Sequence, residues 1–160
     1  VTGAVSIPVV ASGGIATPRQ AAACTVMGAD GVEMGTAFMA SEECPVHINV
    51  KKAVVSATDR DIVACGASTG EPSWQIRNRL ADRLLQIERE HPWSEAAGLI
   101  REASAGSLRI ASLDGEVEEQ GAVMSGQAAG LIHEIQPVKA LVAGFCERWQ
   151  EWLNRRYTLY

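Results

Sequence analysis

Two pairs of small residues carry the chemistry suggested by this chain. In the stretch IPVVASGGIATPRQAAACTVMGADGVEMGT, residues 7–36, an apolar run at 7–11 ends at Gly13-Gly14 and a second run at 31–34 ends at Gly35-Thr36. Glycine lets a backbone N–H approach a ligand with no Cβ in the way. N–H groups beside a helix start lack partners and sit at the positive end of the peptide dipoles, which suits an anion. The pattern therefore predicts a phosphate cradle. The N–H groups of Gly14, Gly35 and Thr36 are its expected donors, the Thr36 hydroxyl adds another, and Gly13 shapes its turn. Glu33 and Met34 lead into the second turn and are expected to contribute backbone. Tight turns alone would explain any one of these glycines; they explain the paired spacing less well.

The elements that position the cradle follow from the same stretch. Thr17 caps a helix, Pro18 suits its first turn, Gln20 completes a capping box, and an alanine-rich run reaches Met27 before Gly28 stops it. An apolar run, a capped helix and a second run favour a βαβ unit with the 7–11 and 31–34 strands adjacent and parallel. In (β/α)8 barrels the loops after strands 7 and 8 form a frequent phosphate site, with a short extra helix, here 36–40, pointing its N-terminus at the anion. The fold expectation is α/β: residues 1–44 as the last two strands of such a barrel, and 45–160 as a mainly helical subdomain over the substrate. A full barrel takes roughly 250 residues, and this chain has 160. A fragment is therefore expected, partnered by the remainder of its barrel or by a second copy, since parallel strands need neighbours and cover.

Beyond Pro45 the sequence predicts a helix at 46–57, a strand at 62–65 and a loop through Gly66, Gly70 and Pro72. Ile76, Leu80, Leu84 and Ile87 make an apolar stripe that predicts a helix over 74–90. Pro92 ends it, and 94–103 resumes. Residues 117–123 fit no single period, while 127–135 and 137–152 read as the last helices. In the final one Val138, Leu141, Val142, Phe145, Trp149 and Trp152 share a face. The 76–87 and 138–152 stripes are expected to be buried against each other or the barrel.

Composition narrows the function. The net charge of −5 argues against nucleic acid, whose binding needs a basic face. The basic clusters at Arg77, Arg79 and Arg83, and at Arg155-Arg156, are mixed with acids. No apolar run approaches a membrane span, so no membrane partner and a cytoplasmic location are expected. Cys24, Cys44, Cys65 and Cys146 are widely spaced and read as free thiols. His47, His91 and His133 show no metal-ligand spacing. His47 is expected to be structural, His133 a satisfied and partly buried helical histidine, and His91 exposed. Ser125 lacks the GxSxG turn and an activating pair. The tryptophans read as packing residues, with Trp74, in its loop, the one that faces a ligand if any does. Arg77 reads as an exposed helical residue.

At IPV, GGI, GADGV and MGT the chain resembles the nitronate monooxygenase family, formerly called 2-nitropropane dioxygenases. That family includes NAD(P)H-dependent flavin oxidoreductases and FMN-containing enoyl-ACP reductases. The likeness continues through EECPVH (42–47) and ATDRDI (57–62), weakly at Arg77-Asn78, and again from Gly126 to His133. Residues 66–74 and 90–115 match poorly. The resemblance implies FMN in the cradle, a small-molecule substrate such as a nitronate, NAD(P)H as a further partner, and flavin redox chemistry. In nitronate-oxidising members the proposed base is a histidine on an earlier strand, and nothing here corresponds to it. The resemblance thus implies no catalytic residue and no metal ligand in this chain, and no activity for the piece alone. Two positions depart from the family: Glu33 stands where a neutral polar residue is frequent, and Ala37 where Arg is usual. A carboxylate facing the phosphate would weaken binding. Three alternatives stand beside this reading. They are another phosphate-binding barrel such as the IMP dehydrogenase group, enoyl reduction within the family, and a barrel remnant without flavin.

Overall fold

The computed structural model describes residues 1–154; the Arg155-Arg156 cluster lies outside them. Strand β1 (Val10–Ser12) lies parallel to β2 (Gly31–Glu33), and helix α1 (Pro18–Val26) connects them. The register pairs Val10 with Gly31 and Ser12 with Glu33. The first strand starts later than the 7–11 run suggests. Its ladder begins where β2 runs alongside, at Val9, which exchanges hydrogen bonds with Asp30. Ile7 and Val10 stay largely exposed.

Helix α1 begins on the predicted capping box. Thr17 Oγ1 accepts from Gln20 N, and Gln20 Oε1 accepts from Thr17 N. The short helix α2 (Gly35–Met39) follows β2 directly. The EECPVH segment then acts as a clasp. Glu42 N donates to Gln136 O, Glu43 Oε2 accepts from Val138 N, and His47 N donates to Ser112 O. His47 caps α3 (Ile48–Ser56) with its Nδ1, which accepts from Asn49 N, so its role is structural as expected. The buried Lys51 returns from α3 to Glu42, its Nζ donating to the carbonyl oxygen at 2.8 Å.

An antiparallel hairpin follows, β3 (Ile62–Cys65) with β4 (Ser73–Ile76). This corrects the helix expected from Trp74. Ile76 happens to extend the helical stripe of Leu80 and Leu84, but the backbone of 73–76 pairs with β3, and α4 (Arg79–Glu90) starts only at the Asn78 cap. Asn78 Oδ1 accepts from Ala81 N, while its Nδ2 donates to the carbonyls of Val117 and Gly121. Arg77 precedes the helix and pairs with Asp82 at 2.7 Å on the surface.

Helix α5 (Trp93–Ala103) and the short α6 (Ser107–Arg109), which runs into a π-helical turn at Ile110–Asp114, complete the middle of the chain. A 3-10 turn at Gln127–Leu131 replaces the helix expected over 127–135. His133 therefore lies beyond the turn and is exposed, against the expectation of burial. Helix α7 (Val138–Asn154) closes the described chain and packs on α1. Phe145 is buried there, its ring edge-on to Trp149, and the Arg19 guanidinium stands 4.4 Å from the Trp152 ring centre.

The core has two parts. Ala37, Val50, Val54, Ile62, Val123 and Ile132 form one cluster, with Met34 and Leu141 packed against it. Cys65, Leu80, Leu84, Ile100 and Ala122 form the other. The two predicted stripes pack apart: α4 buries Leu80 and Leu84 on β3 and α5, whereas α7 packs on α1 with Phe145 buried and Val142 exposed. Trp74 and Trp93 are 50% and 64% exposed, so these two are not packing residues. Trp74 stands on strand β4. No described helix is long and apolar enough to cross a membrane.

Candidate phosphate site

Pairing Ser12 with Glu33 brings both strand ends to one edge of the sheet, so the Gly13-Gly14 turn and the start of α2 are neighbours. Gly13 and Gly14 have φ of 93° and 71°. That left-handed region disfavours any residue with a Cβ, so two consecutive glycines are needed for the chain to turn here. Gln20 then fixes the turn. Its Oε1 accepts from Ala16 N and Thr17 N at 3.0 Å each, and its Nε2 donates to Gly14 O at 2.7 Å. The sequence marks Gln20 as a capping residue; that it also grips the glycine turn appears only in three dimensions.

These bonds occupy the Ala16 and Thr17 donors and leave the Gly14 N–H without an acceptor among the described residues. At the second turn, Met34 precedes α2 and makes no side-chain cap, so among the described residues the N–H groups of Gly35 and Thr36 are also without an acceptor. A Cβ placed at Gly13, Gly14 or Gly35 would meet no atom within 4 Å. The backbone is thus uncrowded on the side where a side chain would stand. Thr36 Oγ1 accepts from Gly126 N at 3.2 Å, which leaves its own proton to donate. Glu33 is exposed, and Met34 turns its side chain toward the first core cluster.

Gly126 belongs to the site by this contact, although its partner is 90 residues away in sequence. Ser125 beside it is buried; its N–H donates to Trp74 O and its hydroxyl to Gly126 O, so it serves the backbone. All four cysteines are free thiols. Burial pushes the Cys65 thiol up from its ordinary value, which keeps it a neutral S–H. No group of histidine, cysteine and carboxylate residues among those described is placed to hold a metal.

A sequence profile described as nitronate monooxygenase matches residues 1–148. The chain belongs to the nitronate monooxygenase family. A probable nitronate monooxygenase of Staphylococcus aureus (strain JH9) is 36% identical over 105 residues, which cover 63% of this chain and 30% of the relative. The FabK structure from Thermotoga maritima superposes with a TM-score of 0.85 at 41% identity, covering 94% of this chain and 46% of the other. A nitroalkane oxidase from Streptomyces ansochromogenes superposes with a TM-score of 0.68 at 29% identity, covering 94% and 41%. This chain therefore spans less than half the length of the family members it matches. The cradle, the clasp at 42–47 and the Gly126 segment all lie inside the matched family region.

Proposed function

We propose that this chain is the closing part of an FMN-dependent oxidoreductase barrel, with residues 1–44 holding the cofactor phosphate and 45–160 covering the substrate. One observation carries the reading: the N–H groups of Gly14, Gly35 and Thr36, at the ends of two parallel strands, have no acceptor among the described residues. Gly14 and Gly35 donate through the backbone, Thr36 through backbone and hydroxyl, and Gln20 holds the first turn in place. When bound, the flavin supplies the redox chemistry, while the protein supplies orientation and electrostatics. The exposed Ile7, ahead of β1, and Val10, at its start, suit docking of the preceding strand, by which the rest of the protein would complete the barrel. The catalytic base belongs to that remainder, so the isolated chain is expected to be inactive.

Oxidation of alkyl nitronates with O2 is the activity proposed for the whole protein, which acts in the cytoplasm. The likeness to FabK favours a second reading, NAD(P)H-dependent enoyl reduction at the same flavin. A visible spectrum of the purified full-length protein tests both. A flavin band near 450 nm (about the usual position for flavins) that bleaches with anaerobic nitronate supports the first, and bleaching by NAD(P)H supports the second. A protein that binds no flavin when reconstituted overturns both and leaves a non-catalytic barrel remnant.

A further inference from the structure

A cavity of about 470 Å³ opens between the β3–β4 hairpin and α5, and it shares no lining residue with the phosphate cradle. This volume is that of a small-molecule pocket. Leu84 and Ile100 give it an apolar wall. Gln75, 2% exposed, forms another part of the wall, and its buried Oε1 has no hydrogen-bond partner. A buried amide oxygen left unpaired is costly, and a ligand N–H or O–H would relieve it. At the rim stand Arg101 and Arg109 with one carboxylate, Glu71, leaving a net charge of +1. Arg101 makes one long contact, to Thr69 O at 3.4 Å, and Arg109 forms no ion pair among the described residues.

We propose that this cavity binds an amphipathic organic anion whose apolar body lies against Leu84 and Ile100, whose acid group meets Arg101 and Arg109, and whose N–H or O–H donates to Gln75 Oε1. The site is independent of the flavin reading, because none of its contacts involves the cradle. Among the described residues no side chain hydrogen-bonds the amide oxygen or pairs with Arg109, and both residues line the cavity that Leu84 and Ile100 wall. The three features together describe a molecule with a donor, an apolar middle and an anionic end.

The test uses 2-anilinonaphthalene-6-sulfonate, which has all three features, and N-phenyl-2-naphthylamine, the same scaffold without the sulfonate. Fluorescence titration of the full-length protein is expected to show the sulfonate binding about tenfold tighter than the neutral dye, because the rim is cationic. In Arg101→Glu/Arg109→Glu that preference should vanish. In Gln75→Leu both dyes should bind about fivefold more weakly, with the melting temperature unchanged or raised. Dye held non-specifically on exposed apolar surface would favour the neutral scaffold and ignore all three substitutions. Equal binding of the two dyes, a sulfonate preference that survives the rim reversal, or unchanged affinity in Gln75→Leu overturns the proposal. Should Gln75→Leu fail to fold, the comparison in the wild-type protein and the exposed rim variants still decide it.

Discussion

Two regions of this protein present backbone N–H groups without helical partners, the 116–121 loop and the proposed phosphate cradle, and they are finished differently. In the 116–121 loop the anion is the protein's own. Glu116 Oε1 accepts from Glu118 N and Glu119 N, and Oε2 from Gln120 N and Gly121 N, at 2.6–2.8 Å. Those donors, the Glu119 N–H foremost, hold the Glu116 carboxyl at about 2. At the proposed phosphate cradle the N–H groups of Gly14, Gly35 and Thr36 have no such acceptor among the described residues. The lesson is one of satisfaction. A ring of donors already filled by a side chain is a structural turn, whereas unclaimed donors facing open space are prepared for something from outside.

The glycines separate the two cases most sharply. A Cβ on Gly121 would collide with the Glu116 carbonyl oxygen, whereas one on Gly35 would meet nothing. Gly121→Ala is therefore expected to cost about 2–3 kcal/mol of stability by denaturant unfolding, as overpacking does, and Gly35→Ala no more than about 0.5. Equal costs at the two positions would erase the contrast.

Next in size is cofactor affinity. Hydrogen bonds to a charged group contribute about 1.5–3 kcal/mol each, so Gly35→Val in the full-length protein should weaken FMN binding roughly ten- to hundredfold in a fluorescence titration. The same measurement on Glu116→Gln should show no change. If Gly35→Val and Gly14→Val both retain wild-type affinity, the cradle does not hold the phosphate.

Glu116 itself sets a pH dependence. The backbone donors hold its folded carboxyl at about 2, against 4.5 for an ordinary glutamate. The stabilisation is whole above pH 4.5, declines as pH falls toward 2 and is gone below that. Solvent screens part of it, so Glu116→Gln should lose about 1–2 kcal/mol at neutral pH and flatten the acid limb of the stability profile. An acid limb identical to that of the wild type would show that the four donors do not depend on the charge.

The smallest expected effect belongs to Glu33. It is exposed on β2 at the mouth of the cradle, so its charge acts on the phosphate through solvent. Glu33→Gln should tighten FMN binding about two- to threefold at low salt, with the gain shrinking as salt is added. A salt-independent gain would point to a rearranged turn instead.

Local sequence determined the βαβ unit, because each of its signals acts within a few residues. Thr17 and Gln20 cap their own helix, Gly28 ends it, and the glycines at 13, 14 and 35 mark the turns on which the candidate site rests. Periodicity misled where it matched by chance. Ile76 continues the stripe of Leu80 and Leu84, yet pairing with β3 took residues 73–76 into a strand, since an available ladder satisfies backbone groups that a helical stripe only predicts. Likewise 127–135 carries helix-like spacing but forms only a 3-10 turn. Composition could not show that Glu116 closes its own loop, that Gly126 reaches Thr36 across 90 residues, or that Gln75 is buried with an unpaired oxygen in a cavity that two arginines also line. Each of these depends on groups distant in sequence meeting in space. The chain by itself determined where its turns and caps fall, because those are local balances of sterics and hydrogen bonding. Only the tertiary structure decided which donors are left without a partner, because satisfaction is a property of the whole packed molecule.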